Sequence, residues 1–145
     1  MEFDDMPSCV VGVGHDVVDL VSFARQLDAP GTMFVSRAFS PLEMRQCQVR
    51  AGESRDGVAV HLAARWAGKE AVLKAWCEAL GERPLPYSVD DFPWGGVQIL
   101  EDSRHRPRVE LAPDVESRLP FRVRWHMSLS HDGAVASAFV VVERR

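Results

Sequence analysis

Hydrophobic and polar positions along this chain predict both strands and helices. From Phe121 to Leu129, apolar residues alternate strictly with polar ones, which is the period-two pattern of a strand with one buried face. The residues from Ala134 to Val142 predict a second strand, entered through the hairpin signal "HDG". Near the other end, the valine-rich run from Val10 to Val18, interrupted by Gly12 and Gly14, predicts a third. Strands are therefore expected at both ends of the chain.

Two capping signals predict helices between these strands. Asp19 is expected to cap a helix that runs to about Leu27, where "DAPG" would end it. The sequence "SPLE" then has Ser40 as N-cap, Pro at the first helical position and Glu43 two residues further on, which is a capping box. The helix after it is expected to end near Val49. The polar segment "RAGESRDG" that follows is expected to be a mobile loop.

The middle of the chain predicts one long helix, a connector and a hairpin. The segment Leu62–Trp76, "LAARWAGKEAVLKAW", is rich in strong helix formers. Residues 81–96 contain too many prolines and glycines for a regular element. Two short strands, Val97–Leu100 and Arg108–Leu111, and a short helix in "APDVESRL" follow. Because helices and strands do not alternate regularly, the order favours a single α+β domain over residues 1–145 with a mainly antiparallel sheet.

Composition restricts the class of protein. The chain has 145 residues, 46% of them hydrophobic, and a formal net charge of −4, which gives no overall reason to expect nucleic acid binding. Cys9, Cys47 and Cys77 are an odd number without a CxxC pair, which argues against a disulfide framework and a structural zinc site. There is no apolar run of about 18 residues, and the acidic start "MEFDDMPS" is unlike a signal peptide. We expect a cytoplasmic protein without a membrane partner.

The long helix has charges next to its apolar face. On a helical projection, Lys69 falls between Trp76 and Leu62, while the opposite side is lined by alanines and a glycine, so both sides look packed. A lysine and a glutamate beside such a surface must snorkel, pair, or meet a metal or a phosphate. The simplest interpretation of Glu70 and Lys74 is a surface pair one turn apart. The alternative is that Glu70 holds a metal ion while Arg65, Lys69 and Lys74 hold the oxygens of a pyrophosphate.

The segment "GVGHDV" begins like a dinucleotide-binding fingerprint but does not complete one. Val17 stands at the position of the third glycine, and Asp16 would put a negative charge near the pyrophosphate. Asp16 is either a turn or cap residue or an oxygen ligand for Mg²⁺, which proteins hold with one or two carboxylates together with substrate phosphates and water. Glu70 offers the second carboxylate.

The late segment "SLSHD" suggests a nucleophile triad at first sight. Neighbouring residues on a strand point to opposite faces, so Ser130 and His131 should diverge, which makes a triad a poor interpretation. A histidine at a strand end is usually a plain surface or hydrogen-bonding residue. It can also bind a phosphate or a ribose hydroxyl.

Taken together, "GVGHDVVDL", "SPLEM", "LAARWAGKEAVLKAW" and "SLSHDG" resemble the holo-acyl-carrier-protein synthases in order and spacing. These are the small 4'-phosphopantetheinyl transferases, and the resemblance covers Val10 to Val142. It implies an α+β enzyme, usually a homotrimer with a site in each subunit cleft. The reaction it implies moves the phosphopantetheine arm of coenzyme A to a serine of apo-acyl carrier protein, as in fatty acid biosynthesis, and releases adenosine 3',5'-bisphosphate.

The resemblance also implies roles for individual residues. Asp16 and Glu70 would bind Mg²⁺ and, with Lys74, form the catalytic centre. The basic residues Arg65, Lys69 and Lys74 would bind phosphates, Lys74 also helping the leaving group. Ser130 and His131 would lie near the nucleotide end of coenzyme A.

Three features depart from the family pattern. The motif's last lysine is followed by "AWCEALG" instead of a Gly-Thr-Gly run, "DSRHRP" lacks the glycine of "DxxGxP", and Asp132 after the histidine occurs in only part of the family.

A basic helix is the expected docking surface for an acidic carrier protein. Arg37, Arg45 and Arg50 in "RAFSPLEMRQCQVR" supply that charge. Two other functions stay open at this point: a different Mg²⁺-dependent phosphotransferase or hydrolase that uses the same two acids, and a non-catalytic coenzyme A-binding module.

Overall fold

The structure, a computed structural model, describes residues 9–145, so the acidic start of the chain lies outside it. The strands are β1 (Cys9–Asp19), β2 (Val97–Glu101), β3 (Pro107–Leu111), β4 (Val123–Asp132) and β5 (Val135–Arg144). The helices are α1 (Leu20–Asp28), α2 (Phe34–Ala38), α3 (Pro41–Glu53), α4 (Val58–Leu80) and α5 (Pro113–Glu116), with a 3-10 turn at Trp94–Gly96. The α+β prediction is confirmed.

The strands form two antiparallel sheets. The larger has the order β1-β5-β4, so the first strand of the chain pairs with the last, and β2 and β3 form a separate hairpin. In the larger sheet Asp16 pairs with Ala138, which in turn pairs with Leu129. The half-buried residues of β4 are those that the alternating pattern assigned to the inner face, including Trp125, Met127 and Leu129.

Both capping signals are present, and one helix end was predicted wrongly. The Asp19 side chain accepts a hydrogen bond from Ser22 N at 2.8 Å, and the reciprocal bonds of the capping box join Ser40 and Glu43. Helix α3 ends at Glu53 instead of near Val49, so the loop before α4 covers only residues 54–57. Tertiary contact overrides the weak local signal, since Arg50 in this last turn lies 3.4 Å from Glu101 of β2.

Helix α4 is the central element and is packed on more than one side. Of its 23 residues, 13 are buried, among them Trp76, Val72 and Ala67. It lies against β1 and β5 on one side and against α3 and β2 on another. The prediction of a helix packed on both sides is confirmed. Within residues 9–145, no helix is long and apolar enough to cross a membrane.

The connector between α4 and β2 follows the surface and is anchored by aromatic side chains. Tyr87 and Phe92 pack edge-on against the buried Trp76, with ring centroids 6.1 Å apart in each pair. Trp94 then contacts Trp66 at 4.7 Å. This packing fixes the backbone just before β2, at the point where it meets α4.

Candidate active site

Two glycines bring β1 against α4 at the candidate site. A Cβ on Gly14 would overlap the carbonyl oxygen of Ala71 and lie 2.8 Å from its carbonyl carbon, and a Cβ on Gly12 would overlap the carbonyl oxygen of Ala75. Only glycine permits so close a backbone approach. The "GVG" segment therefore serves helix packing, and the next inward-facing residue after Gly14 is Asp16.

Asp16 and Lys74 are in direct contact. Lys74 Nζ donates to Asp16 Oδ1 at 3.2 Å and to the carbonyl oxygen of His15 at 2.9 Å. The aspartate side chain is largely buried, while that of Lys74 is more than half exposed. The flexible stem of the lysine can thus move its charge away from Asp16 without unpacking the core.

Glu70 lies beside this pair and carries a strongly perturbed carboxyl. Burial, followed by a hydrogen bond with Asp16 and the negative charge of that residue, raises the pKa of Glu70 to about 7, while the positive charge of Lys74 acts in the opposite direction. Two carboxylates held this close repel each other unless a proton or a cation lies between them. The surface-pair interpretation of Glu70 and Lys74 is therefore wrong, because both residues converge on Asp16.

These two acids fit a magnesium ion. Asp16 Oδ2 is buried without a hydrogen-bond donor in the described part of the chain, and a protonated Glu70 would supply one. No group of three or more His, Cys, Asp or Glu residues in residues 9–145 could hold a metal by itself. Two carboxylate ligands with the remaining positions open are what Mg²⁺ requires when substrate phosphates and water complete its shell.

A second cluster, which we call the basic cavity, lies near the end of β4. Arg65, Ser130 and His131 line it together with Arg50, His61 and His105, around a volume of about 190 Å³. The Arg65 side chain is almost fully buried, and within the described residues its Nε atom has no hydrogen-bond partner. A guanidinium that lines a cavity and has an unpaired N–H is suited to an anionic group.

Glu101 balances the charge in the basic cavity. Its carboxylate lies 3.5 Å from Arg65, 3.4 Å from Arg50 and 3.3 Å from His105. Burial, followed by the positive charges of Arg50 and Arg65, lowers the pKa of His61. The net charge of the lining residues is positive, as a phosphate site requires.

Within one chain, the two acids and the basic cavity lie apart. Arg65 and Glu70 are separated by five helix positions, which places them roughly 140° apart around α4 and about 7.5 Å apart along it. Asp16 is on the edge strand β1, whereas Ser130 and His131 are on the opposite edge strand β4, two strand spacings or about 10 Å away. The structure therefore groups the predicted residues into two half-sites.

The prediction that Lys69 binds phosphate is contradicted. Lys69 is fully buried, and its Nζ atom contacts Glu43 Oε1 at 2.8 Å, the Trp94 carbonyl at 2.8 Å and the Val97 carbonyl at 2.6 Å. An ammonium group has three N–H donors, so none is left for a ligand. Of the alternatives expected for a lysine beside this surface, pairing is the one observed, with Glu43.

Glu43 and Glu101 are the residues that sequence reasoning missed. Glu43 was assigned to the capping box alone, yet its carboxylate is fully buried and also accepts from Ile99 N at 3.0 Å. A signal was present in the sequence, since a lysine at a buried helix position requires an acidic partner. Glu101 has one partner close in sequence, His105, but Arg50 and Arg65 come from α3 and α4, so the local pattern did not indicate its role.

The predicted docking arginines are not equivalent. Arg37 and Arg45 are exposed, whereas Arg50 is half-buried and forms an ion pair with Glu101. Arg37 also lies in α2 and not in the same helix as the other two. Arg45 is therefore the one exposed member of the three on α3. Asp132, whose role was left open, is exposed at the end of β4.

Comparison with known proteins shows the family of the chain. Residues 12–140 match the family model of the 4'-phosphopantetheinyl transferase superfamily. The holo-[acyl-carrier-protein] synthase of Bifidobacterium animalis subsp. lactis is 47% identical over 94% of this chain and 99% of that protein. The corresponding synthase of Bifidobacterium adolescentis is 43% identical over 92% and 99%.

A solved structure supports the same assignment. The Chronobacterium ammoniagenes ACPS-CoA complex superimposes with a TM-score of 0.83 at 34% identity, covering 97% of this chain and 99% of the other. The agreement extends over both sheets and the central helix, so the resemblance seen in the motifs is confirmed. The chain belongs to the holo-acyl-carrier-protein synthases of the 4'-phosphopantetheinyl transferase superfamily.

Proposed function

We propose that this chain transfers the 4'-phosphopantetheine group of coenzyme A to a serine of apo-acyl carrier protein and releases adenosine 3',5'-bisphosphate. The observation that supports this most strongly is the convergence of Asp16, Glu70 and Lys74 where β1 meets α4. Two of the relatives, those from Bifidobacterium, are named holo-[acyl-carrier-protein] synthases, and the solved relative is an ACPS-CoA complex.

The chemistry required of these residues is phosphoryl transfer. The serine oxygen of the carrier attacks the β-phosphorus of coenzyme A, the bond to the bridging oxygen breaks, and the adenosine bisphosphate leaves. Mg²⁺ held by Asp16 and Glu70 would stabilise the charge on the phosphate oxygens. Either Glu70 itself or a water molecule beside the two acids would accept the serine proton. Lys74, with an exposed and flexible ammonium, neutralises or protonates the departing phosphate.

Binding of the nucleotide end is assigned to the basic cavity. Arg65, Ser130 and His131 line this cavity and offer donors to a phosphate or a ribose hydroxyl. In this structure His131 Nε2 lies 3.4 Å from Asp56 Oδ2, so nucleotide binding competes with that contact.

A homotrimer would join the two half-sites. The outer face of the larger sheet exposes Val13, Val17, Val135 and Phe139, an apolar surface suited to a second copy of the chain. If the acids of one subunit face the basic cavity of its neighbour, the separation within one chain is explained. The site would then lie in the cleft between subunits.

Mass spectrometry of the carrier tests the function directly. The chain is incubated with apo-acyl carrier protein, coenzyme A and Mg²⁺, and transfer adds the phosphopantetheine mass to the carrier. Glu70→Gln should reduce this by at least about 10²-fold, since it removes one of two acids at the reacting phosphate, whereas the exposed Glu82→Gln should not. Coenzyme A cleavage without carrier would indicate a hydrolase, and binding without any product would indicate a non-catalytic module.

A further inference from the structure

The buried pair formed by Glu43 and Lys69 lies next to the candidate active site without taking part in it. Both side chains are fully buried, and Nζ of Lys69 lies 2.8 Å from Oε1 of Glu43. The same oxygen accepts from Ser40 N, and the other carboxylate oxygen accepts from Ile99 N, each at 3.0 Å. Together with the Trp94 and Val97 carbonyls, these contacts join the start of α3, the turn before β2, β2 itself and α4.

Stability alone is a weak explanation for this arrangement. Desolvation of two charges offsets much of their attraction, and neutral residues of similar volume often serve a core equally well. What the pair adds is directional bonding. Every N–H of the ammonium and both oxygens of the carboxylate have fixed partners, so neither side chain can change position without leaving a buried group unpaired.

The face of α4 that meets β1 is lined by small residues. There β1 presents Gly12 and Gly14 to Ala71 and Ala75, so the strand comes close without large interlocking side chains. Such a contact sets the distance between the strand and the helix but only weakly fixes the rotation of the helix about its axis. With side chains, a helix has a radius of about 5–6 Å, so a turn of roughly 10° would move the Glu70 carboxylate by about 1 Å.

We propose that the Glu43–Lys69 pair is a positioning device that fixes the rotation of α4 and thereby aims Glu70 at Asp16. Lys69 precedes Glu70 in the chain, and the two side chains project about 100° apart, toward β2 and toward β1 respectively. Any rotation that separates Glu70 from Asp16 must pull Lys69 out of its three contacts. This inference rests on the proposed metal site of Asp16 and Glu70.

Metal binding in the absence of substrates tests the proposal. The variant Glu43→Gln/Lys69→Met removes both charges and keeps both side-chain lengths, and Val72→Ala creates a cavity at another buried position of α4. We expect the double variant to stay folded but to bind Mn²⁺, measured by electron paramagnetic resonance, at least tenfold more weakly than wild type. Val72→Ala should lower the melting temperature and leave Mn²⁺ affinity unchanged. Wild-type affinity in the folded double variant would overturn the proposal.

Exchanging the two charges separates positioning from simple charge pairing. In Glu43→Lys/Lys69→Glu, the carboxylate would face the carbonyls of Trp94 and Val97, and the ammonium would face the N–H groups of Ser40 and Ile99. We expect no recovery of Mn²⁺ affinity, because the backbone polarity cannot be reversed. Recovery to wild type would contradict the directional role.

A metal-free measurement keeps this claim distinct from the proposed function. In nuclear magnetic resonance spectra without metal, the amide signal of Asp16 should shift in the double variant and not in Val72→Ala. If wild type binds no Mn²⁺ but this shift occurs, the metal site fails and the positioning role stands. If the Asp16 signal does not move, the positioning role fails whatever the metal does.

Discussion

Replacing Gly14 with alanine should separate the two acids of the site without touching either of them. The new methyl carbon would overlap the carbonyl oxygen of Ala71 and lie 2.8 Å from its carbonyl carbon and 2.9 Å from Ala75 N. All three are backbone atoms within α4, so no side chain can turn away to make room. Strand β1 must therefore move away from α4.

The size of this displacement of β1 follows from ordinary van der Waals contact distances. Carbon and nitrogen atoms in van der Waals contact lie about 3.4 Å or more apart, so relieving these overlaps requires a shift on the order of 1 Å. Overpacking of this kind costs roughly 1–3 kcal/mol of unfolding free energy. Because Asp16 follows Gly14 by two residues on the same face, it moves with the strand. A displacement of about 1 Å at reacting groups can cost roughly 10²-fold in rate.

Two measurements check this prediction. Transfer to the carrier should fall about 10²-fold in Gly14→Ala, which is more than the loss of folded protein explains, and Mn²⁺ affinity should fall with it. The control is Gly52→Ala in α3, where a Cβ meets no atom within 4 Å and alanine should stabilise the helix by roughly 0.5–1 kcal/mol. The reasoning is refuted if folded Gly14→Ala keeps turnover and Mn²⁺ affinity within twofold of wild type.

Three further predictions concern charge. Because the folded-state pKa of Glu70, about 7, exceeds the ordinary value of 4.5, the folded chain binds a proton that the unfolded chain has lost, and unfolding free energy should fall as pH rises between these values. In urea denaturation without metal, the unfolding free energy of Glu70→Gln should therefore exceed that of wild type at pH 8 by on the order of 1 kcal/mol after solvent screening, and the two should be equal near pH 4.5. An unfolding free energy at pH 8 no higher than that of wild type would count against the buried-carboxylate argument. Arg45→Glu should raise the KM for the carrier several-fold through repulsion of an acidic surface, while Arg122→Glu, at an exposed position just before β4, should not. A KM for the carrier in Arg45→Glu equal to that of wild type would eliminate Arg45 as a docking residue. If each site uses two subunits of a trimer, refolding Glu70→Gln chains and Arg65→Ala chains together in equal amounts should restore about a quarter of wild-type transfer, because about one site in four combines an intact Glu70 with an intact Arg65. No recovery of transfer would mean that the site lies within one chain.

Much of the fold was predictable because its elements have strong local signals. The capping box at Ser40 fixed the start of α3, and the strict alternation around Trp125 fixed the inner face of β4. The end of α3 was not predictable, since the pairing of Arg50 with Glu101 depends on a strand about fifty residues later. Local signals determine where elements begin, and tertiary contacts determine how far they extend.

The sequence indicated several residues of the candidate site but not how they are arranged. The chemistry of "KEAVLK" and "GHD" indicated Asp16, Glu70 and Lys74, and the structure brings these three together. Lys69 was misassigned because a one-dimensional pattern cannot tell a charge that faces a ligand from one that faces a buried partner. Its partner, Glu43, lies 26 residues away and already had a sufficient local explanation.

Mn²⁺ titration of acid variants tests the central claim, that Asp16 and Glu70 form one metal site, most directly. Wild type, Asp16→Asn, Glu70→Gln and the double variant are compared by electron paramagnetic resonance, with Glu82→Gln as the control. Each single variant should lose at least about tenfold in affinity, and the double variant should lose little more than either, because residues of one site are not additive. Wild-type affinity in either single variant, or losses that simply add in the double variant, would contradict a shared site.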